Sequence, residues 1–420
     1  MRYDGKKVLV AGSGISGIGA KEALASLGAQ VYTYLDGQDF MDDEYDLIVL
    51  SPSFRKSHFL YQYAKLKGIR IIGEYALGSE LNTKPLISVT GTNGKTTVVK
   101  MLYDILSKQY KVSTCGNIGV SFARCAVFDD YEIALTEASS FQLQQTPFIK
   151  PKVAVITNVT PDHLNYHKNM EEYTLAKYSI SAFQDENDFL VLPYDEKLYK
   201  IESLSTNAKK LWISVKHKVD GAYLQDEWVY FQGEKLFHKS ALKLKGEHNL
   251  SNMLFAVAVS RLFGVSSENI EQGVLNFVPE RHRIEFVTCI DGVKFYNDSK
   301  STNEDSTIKA VRCMEGSVCL ILCGNDKGLS YDRIFSECEN LKRVNVTGNI
   351  AHSVLASANR AGFSKVRYFQ DLESATVNAF MSRADNVLLS PASASFDRFS
   401  SYEERGKTFI KIVSEIADGK

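Results

Sequence analysis

Short apolar runs and amphipathic segments alternate along most of the chain. In the first part, the runs KKVLVAG, QVYTYLD, DLIVLS and IRIIG are separated by the helix-like segments GIGAKEALASLG and SHFLYQYAKLKG. Apolar runs of this length predict buried strands, and their alternation with helices predicts a parallel sheet covered on both faces. The predicted fold class is therefore α/β.

The alternation stops near Asn82 and near Pro279, which predicts three domains. A second series of strands includes PLISVT, EIALTEAS, KVAVITNV and DFLVLP, with a hairpin expected in GAYLQDEWVYFQGEKLF. A third series contains SVCLILCG, RVNVTG, KVRYF and NVLLSP. We predict a Rossmann-like domain at residues 1–82, a P-loop ATPase-like domain with a mostly parallel sheet at 83–279, and a Rossmann-like domain at 280–420.

Charge and cysteine content narrow the class of protein. Acidic and basic residues nearly cancel, since 49 Lys and Arg are balanced by 50 Asp and Glu. Such a balance does not favour nucleic acid or an anionic membrane as a partner. No apolar run reaches the roughly 18 residues of a membrane helix, and the N-terminus lacks a signal-peptide pattern. The seven cysteines form no CxxC pair and indicate reduced thiols. We expect a cytoplasmic monomer that binds small molecules.

A glycine-rich turn, GSGISG at residues 12–17, lies between the first strand and the first helix, and Asp36 follows the next strand. This order is typical of dinucleotide binding. The domain has about half the length of a two-lobed dinucleotide fold, so a mononucleotide or sugar nucleotide fits its size better. A second interpretation stays open, in which the glycines only permit close packing of strand and helix.

The strongest motif is SVTGTNGKTT at residues 88–97. It departs from the pattern G-x-x-x-x-G-K-[ST], because Val89 stands where the first glycine is expected. A buried strand nevertheless leads into a loop with two glycines, and an amphipathic helix begins at Lys95. Backbone N–H groups and the helix dipole favour a phosphate at such a junction. We expect Lys95 to contact the terminal phosphates and Thr96 to bind Mg²⁺.

Three polar clusters follow this loop. Glu137, in TEASSFQL, ends a strand, where an acid can bind Mg²⁺ beside a phosphate loop. ITNVTPDHLNYH ends another strand with Asn158, Asp162 and His163, which are ligand types suited to a second metal. Asn249 and Asn252 lie one helical turn apart, so both amides can face a flat polar partner such as adenine. Each cluster alone could be structural, but their joint occurrence predicts one nucleotide and metal site.

The motifs TGTNGKTT, EASSFQL, TNVTPDHL, GEHNLSN, HR at residues 282–283, and NDSKSTN resemble those of the Mur ligase family of bacterial peptidoglycan synthesis. The resemblance covers almost the whole chain and preserves the order of the motifs. It implies an ADP-forming ligase that joins an amino acid to a UDP-linked precursor. The segment LSPASASFDRFSSYEERGKTF is similar to the branch that adds D-glutamate to UDP-N-acetylmuramoyl-L-alanine. The D-N-P-R segment usual in diaminopimelate- and lysine-adding relatives is absent.

The resemblance also implies a mechanism and its cofactors. The L-alanyl carboxylate would attack the γ-phosphate of ATP, and the amine of D-glutamate would then attack the acyl phosphate. Two Mg²⁺ ions would neutralise the clustered negative charge. Lys177 matches a lysine that is carbamylated in the family, and this modification would replace a cation beside the metal with an anion.

Site residues are carried over motif by motif from this resemblance. ATP is expected at Gly91, Thr92, Asn93, Gly94, Lys95, Thr96, Thr97, Asn249, Asn252, Arg283 and Asp298. The UDP-linked precursor is expected at Gly14, Ile15, Ser16, Asp36, Asn117, Ser139 and Ser140. D-glutamate is expected at Thr302, Lys327, Ser395, Phe396 and Tyr402. The expected metal ligands are Thr96, Glu137, His163 and Lys177. The expected catalytic residues are Lys95, Glu137, His163, Lys177 and Lys300.

Two departures from the family pattern and three other functions stay open. Ser53 stands where relatives often carry glycine, and Asn325 and Asp326 interrupt a segment that is usually richer in glycine. A folylpolyglutamate-type ligase would lack the glycine-rich first domain. A nicotinamide-dependent oxidoreductase would bind NAD and release no ADP. A nucleotide-sensing module would not need the metal-ligand residues beside the phosphate loop.

Overall fold

The computed structural model describes residues 2–164, 166–244, 246–326, 328 and 330–419. The chain forms two compact units. The first contains Met1–Pro161, Tyr166–Lys243 and Asn249–Phe277, and the second contains Asp162–Asn165, Leu244–His248 and Val278–Lys420. Within the described ranges, no helix combines the length and the apolar character needed to cross a membrane.

The first unit begins with a four-stranded parallel sheet. Its strands are β1 (Lys7–Ala11), β2 (Gln30–Tyr34), β3 (Leu47–Leu50) and β4 (Arg70–Gly73). The helices that connect or follow them are α1 (Ile15–Ser26), α2 (Phe59–Lys67) and α3 (Glu74–Leu81). The strand order is β2-β1-β3-β4. The chain therefore leaves β1 toward one neighbour and later returns on its other side. Ligands bind at the carboxyl ends of strands at such a switch point, and GSGISG lies there.

A second sheet of nine strands completes the first unit. Its strands are β5 (Leu86–Thr90), β6 (Val112–Gly116), β7 (Ile133–Glu137), β8 (Val153–Ile156), β9 (Phe189–Pro193), β10 (Lys209–Ser214), β11 (Gly221–Gln225), β12 (Trp228–Phe231) and β13 (Glu234–His238). They lie in the order β13-β12-β11-β10-β9-β8-β5-β7-β6, parallel except for the pairs β11–β12 and β12–β13. The predicted hairpin is confirmed by the antiparallel pair β11–β12.

The helices that follow the first sheet in sequence, up to residue 275, carry much of the candidate site. They are α4 (Lys95–Leu106), α5 (Phe122–Phe128), α6 (Ser140–Gln144), α7 (Met170–Tyr178), α8 (Glu247–Leu262) and α9 (Ser267–Leu275). The first of them starts directly after the phosphate loop. The apolar side chains of Val98, Met101 and Leu102 point inward from this helix, and all three are 0 % exposed. This packing fixes the helix start, and with it the loop, against the sheet.

The second unit is built on a six-stranded sheet. Its strands are β14 (Glu285–Ile290), β15 (Val293–Asn297), β16 (Val318–Cys323), β17 (Leu341–Thr347), β18 (Val366–Tyr368) and β19 (Asn386–Leu389), in the order β14-β15-β19-β16-β17-β18. Among the strands of the described ranges, β14–β15 is the one antiparallel pair of this sheet. Its helices are α10 (Glu304–Arg312), α11 (Asp332–Glu337), α12 (Ala351–Arg360), α13 (Leu372–Met381) and α14 (Tyr402–Ala417).

The predicted α/β class with mostly parallel sheets is confirmed. The strands of the three sheets come from residues 7–73, 86–238 and 285–389, while the domain boundaries near Asn82 and Pro279 stay predictions. The pattern did not indicate β6, β10 or β15. β6 reads VSTCG, in which only one side chain is fully buried, so it lacks a continuous apolar run.

Candidate functional site

The phosphate loop, residues 91–94, connects β5 to α4 in a conformation that requires glycine at its first position. Gly91 has φ of +148°, and a Cβ added there would lie 1.9 Å from Thr157 Oγ1. Gly94 caps α4 with φ of +85°. Although the motif departs from the common glycine pattern, it therefore still forms a tight turn between strand and helix. The N-terminus of α4 lies at this turn, and a helix N-terminus favours an anion.

Two residues that follow β8 hold the phosphate loop by hydrogen bonds between their side chains and the main chain of the loop. Thr157 Oγ1 donates to the carbonyl of Asn93 at 2.6 Å. Asn158 both accepts from the Asn93 N–H at 2.9 Å and donates to its carbonyl at 3.0 Å. The sequence placed Asn158 among residue types suited to a metal, whereas the structure uses its side chain to fix the loop. Thr157 was missed, because a threonine at a strand end carries no distinctive signal.

Thr96 and Glu137 form the centre of the predicted magnesium site. Thr96 Oγ1 donates to Glu137 Oε2 at 2.8 Å, and Asn117 Nδ2 donates to Glu137 Oε1 at 2.7 Å. Glu137 is only 2 % exposed and ends β7, beside the strand that carries the phosphate loop. A hydroxyl and a carboxylate at the mouth of a phosphate loop are oxygen ligands that Mg²⁺ accepts. The pair also connects Asn117 to this region.

Two lysine side chains meet at the carbonyl of Gly91. Lys95 Nζ donates to the carbonyls of Gly91 and Thr92, each at 2.9 Å. Lys177 Nζ donates to Gly91 O at 2.7 Å and lies 4.5 Å from the centre of the Tyr173 ring. Lys177 is 2 % exposed, so α7 delivers it to the phosphate loop and not to solvent. The structure thus brings two of the predicted catalytic residues together.

His163 lies in the segment assigned to the second unit. It has φ of +54°, and its backbone N–H donates to Asp162 Oδ1 at 2.8 Å. Its sharing of a metal with Glu137 and Lys177 stays a prediction. In the part of the chain that the structure describes, no group of three or more His, Cys, Asp and Glu residues is placed to hold a metal ion.

The two asparagines predicted to contact adenine are buried on α8. Asn249 is 6 % exposed and Asn252 is 7 % exposed. Asn252 Oδ1 would lie 2.5 Å from a Cβ added at Gly94, so this amide touches the start of α4. The structure therefore places Asn252 directly behind the phosphate loop. Its contact with adenine stays a prediction.

A cleft of about 1170 Å³ opens at the carboxyl end of β1. Five residues predicted to bind the UDP-linked precursor line it, namely Gly14, Ile15, Ser16, Asp36 and Asn117. The cleft runs from the glycine-rich turn to the loop after β6, which suits a long ligand. A cleft at the switch point is where a sugar nucleotide would bind, and the short first domain favours this class of ligand over a dinucleotide.

The two serines predicted for the same ligand have other partners in the structure. Ser139 caps α6 by accepting from the backbone N–H of Gln142 at 3.3 Å. Ser140 is buried, and its Oγ lies 3.0 Å from His167 Nε2. The lining of the cleft includes Gln142 instead. The precursor-binding role of Ser139 and Ser140 stays a prediction.

The loop after β3 supplies a wall of the cleft, of which the sequence had indicated only Ser53. Phe54, Arg55, His58 and Phe59 line it, together with Ser53, whose identity departs from the family pattern. Their position follows from the strand order, because this loop leaves β3, which lies beside β1 on the side opposite β2. Spacing in the sequence does not reveal that neighbourhood.

In the second unit, Asp298 is a fully buried acid at the end of β15. It accepts from the backbone N–H of Ile284 at 3.1 Å and from Ser390 Oγ at 2.7 Å. Burial raises the pKa of Asp298 to about 6, although the nearby Arg283 guanidinium acts in the opposite direction. Arg283 and Asp298 are therefore neighbours, as their shared prediction for ATP requires. Their contact with ATP stays a prediction.

The residues predicted for D-glutamate are only partly described. Lys300 forms an ion pair with Glu280, and its Nζ lies 5.3 Å from the centre of the Tyr402 ring. Ser395 is buried, whereas Phe396 is 72 % exposed. Thr302 is half-buried. Lys327 lies outside the described residues.

Arg405 is a further residue that the sequence did not single out. Its guanidinium is 0 % exposed and donates to the carbonyls of Ser299, Cys323 and Ser393 at 2.8 to 3.2 Å. Ser299 and Ser393 lie in the segments that follow β15 and β19, and Cys323 is the last residue of β16. Arg405 therefore ties the end of one strand to two loops, and these two loops also carry Lys300 and Ser395. An arginine in an amphipathic helix gives no sign of such burial.

Comparisons with known proteins agree with this geometry. The family model of the Mur ligase middle domain matches residues 89–260. The chain is 37 % identical to a UDP-N-acetylmuramoylalanine–D-glutamate ligase of Streptococcus thermophilus, over 99 % of this chain and 98 % of the relative. It is 36 % identical to the protein of the same name from Streptococcus pneumoniae serotype 19F, over 99 % of both chains.

Solved structures show the same fold at lower identity. MurF ligase from Thermotoga maritima, in complex with ADP, has a TM-score of 0.63 and 17 % identity, covering 99 % of this chain and 96 % of that chain. A pseudomurein peptide ligase type C from Methanothermus fervidus has a TM-score of 0.63 and 16 % identity, covering 98 % of this chain and all of that chain. At this identity the likeness concerns the fold alone.

Proposed function

The chain belongs to the Mur ligase family, and from this premise we propose that it is an ATP-dependent ligase that joins D-glutamate to UDP-N-acetylmuramoyl-L-alanine. The observation that carries the proposal is the identity of 36 to 37 % along essentially the full length of relatives with that name. The phosphate loop and the cleft support it, since both lie in the first unit and suit the two nucleotides that the reaction needs.

The reaction has two steps. In the first, a carboxylate oxygen of the precursor attacks the γ-phosphorus of ATP, the bond from this phosphorus to the β–γ bridging oxygen breaks, and ADP leaves. The neutral amine of D-glutamate then attacks the acyl carbon, and inorganic phosphate leaves as the amide forms. The ammonium group of D-glutamate loses one proton to solvent before it attacks, and the nitrogen loses a second proton to the leaving phosphate as the amide forms. The products are the amide, ADP, hydrogen phosphate and one proton.

Residues of this chain would act on the phosphates and the metal. Lys95 would exchange its two loop carbonyls for phosphate oxygens, because an anion is a better partner than a neutral carbonyl for an ammonium. Thr96 and Glu137 would bind Mg²⁺, as the oxygen donors already lie 2.8 Å apart. When bound, Mg²⁺ would neutralise charge on the phosphates.

We also propose that Lys177 carries a carbamate. Its ammonium group and that of Lys95 converge on one carbonyl oxygen, where like charges repel each other. A carbamate would remove one of these charges and supply the extra oxygen ligands that a second metal needs. The Tyr173 ring and the Gly91 carbonyl partly offset the cost of burying the unmodified ammonium.

The function is tested by measuring ADP and phosphate release from the purified chain. Release should require ATP, Mg²⁺, UDP-N-acetylmuramoyl-L-alanine and D-glutamate together, and the product should gain the mass of one glutamyl residue. Binding of NAD with no release of ADP would contradict the proposal. So would release that proceeds equally well without the UDP-linked precursor.

A further inference from the structure

We propose that His58 is a positioning residue for the uridine end of the precursor, because it holds the carboxylate of Asp36 in the cleft. This inference rests on the proposed function, since it takes the UDP-linked precursor as the ligand of the cleft. The sequence motifs did not single out His58, and the comparisons name no residue there. The proposal depends on the contacts of its two ring nitrogens.

The two nitrogens of His58 have different roles that fix the tautomer of the ring. His58 caps α2, and its Nδ1 accepts the backbone N–H of Leu60 at 3.3 Å. A backbone N–H can only donate, so Nδ1 carries no proton while it serves as the cap. The proton of the neutral ring is therefore on Nε2. Nε2 lies 3.2 Å from Asp36 Oδ1, and the Nε2–H group donates to the carboxylate.

Aromatic packing prevents the His58 ring from turning away. The ring centre lies 4.7 Å from that of Phe59, 4.8 Å from that of Phe54 and 6.0 Å from that of Tyr34. Only 15 % of the His58 side chain is exposed. Rotation of the ring would break the helix cap and these contacts together. His58 therefore offers a donor at a fixed place.

Asp36, in contrast, would have no fixed orientation without His58. Its side chain is 75 % exposed and lines the cleft. A short carboxylate that faces water samples several rotamers, and one hydrogen bond from a rigid donor selects among them. The oxygen atoms of an ionised carboxylate only accept hydrogen bonds. The ligand group that Asp36 recognises must therefore be an O–H or N–H donor.

A uridine offers two kinds of donor: the 2′ and 3′ hydroxyl groups of the ribose, and the imide N–H of the base. Both kinds fit an acceptor fixed by His58, and they share the same chemistry. Analogues that lack one kind of donor at a time distinguish them.

The test measures UDP binding to the full chain by calorimetry. His58→Asn keeps a side chain that caps helices well, but it is too short to reach Asp36. His58→Ala loses both contacts. We expect both variants to weaken UDP binding about tenfold, which is typical of losing a hydrogen bond to a charged group. Tyr63→Phe is the matched control, since Tyr63 belongs to the same aromatic cluster but bonds to Asp42. UDP affinity should be unchanged in this control.

Further readouts separate positioning from a structural role. In turnover, KM for the precursor should rise about tenfold in His58→Asn, while KM for ATP and kcat stay the same. Asp36→Ala combined with His58→Asn should bind UDP no more weakly than Asp36→Ala alone, because His58 acts through Asp36. Either 2′,3′-dideoxy-UDP or N3-methyl-UDP should bind the unchanged chain weakly and be insensitive to His58→Asn.

Specific results would overturn the inference. If His58→Asn binds UDP as tightly as the unchanged chain while His58→Ala does not, the histidine is only a helix cap. If both analogues bind as UDP does and both respond to His58→Asn, Asp36 recognises neither donor. UDP binding is measured without turnover, so a chain inactive with D-glutamate would contradict the proposed function without affecting this result.

Discussion

At the scale of single residues, burial decides what the ionisable groups of the first unit can do. Glu74 is 1 % exposed at the start of α3, and its Oε1 accepts the backbone N–H of Ala123 at 2.7 Å. Its Oε2 has no hydrogen-bond partner among the described residues. Burial raises the pKa of Glu74 to about 7 from an ordinary value of 4.5, although the hydrogen bond from Ala123 and the nearby hydroxyl groups of Ser16 and Ser121 act in the opposite direction.

This shift predicts a pH-dependent stability. Below about pH 4.5 the carboxyl group is protonated in the folded and the unfolded chain. As the pH rises toward about 7, the unfolded chain loses the proton while the folded chain keeps it, so folding becomes less favourable. Over this pH interval the free energy of unfolding falls by about 3 kcal/mol. Glu74→Gln should remove this loss, so its Tm should fall less than that of the unchanged chain between about pH 5 and 8.

The matched control is Glu22→Gln, which changes a half-exposed carboxylate on α1. It should retain the pH dependence of the unchanged chain. Parallel Tm curves for Glu74→Gln and the unchanged chain would show that Glu74 is not protonated in the folded state.

At the scale of elements, the site depends on the junction between a strand, a loop and a helix. β5 ends at the phosphate loop, α4 begins after it, and the end of β8 holds its main chain. Gly91 is central, because its carbonyl accepts from two lysines and its Cα faces Thr157. A change there disturbs several elements at once.

We predict that Gly91→Ala weakens ATP binding at least tenfold. The new Cβ would lie 1.9 Å from Thr157 Oγ1, so the loop must move away from the strand end that fixes it. Gly68→Ala is the control, since Gly68 also has a positive φ of +68° but has open space around it. Both variants should lose about 1 kcal/mol or more for the backbone conformation. Only Gly91→Ala should lose ATP affinity, by at least tenfold in calorimetry; equal affinities would contradict the prediction.

A second prediction concerns α7, which carries Lys177 to the loop. Lys177→Ala should lose most of the ligase activity, because the carbamate and its metal-binding oxygens are gone. Added formate should restore part of the activity by supplying a carboxylate in the vacated space, whereas chloride at the same ionic strength should not. Mass spectrometry under CO₂ should detect a labile addition on the unchanged chain. Full activity of Lys177→Ala would refute the carbamate.

At the scale of the whole molecule, the reaction needs an amino acid whose charge suits the second unit. The pocket proposed for it includes Lys300 and Lys327, both cationic. D-glutamate brings two carboxylates, of which each can pair with a cation. L-lysine and diaminopimelate bring an additional ammonium group, which would be repelled there and lose solvation.

We therefore predict that D-glutamate supports phosphate release at least a hundredfold faster than L-lysine or diaminopimelate at equal concentration. L-glutamate serves as the control for handedness and should also be slow. The measurement is initial phosphate release with saturating ATP and precursor. Comparable rates with L-lysine would place the chain in another branch of the family.

The sequence by itself determined most strands, the order of the three sheets along the chain, and the position of the phosphate loop. This was possible because apolar runs such as that of β5 reflect local burial, and because the residues that form a strand-to-helix turn are neighbours in the chain. Lys95, Thr96 and Glu137 were recognisable for the same reason, since each lies at the end of a predicted strand or the start of a helix.

Only the tertiary structure decided how distant segments meet. Three sets of contacts join residues that are far apart in the chain. Thr157 bonds to the phosphate loop, Lys177 and Lys95 bond to the same carbonyl, and the buried Arg405 bonds to carbonyls of distant segments. The pair of His58 and Asp36 likewise depends on β2 and β3 lying on opposite sides of β1. Sequence spacing reports contacts within one element, whereas these contacts follow from the order of strands in a sheet, which packing of the entire unit selects.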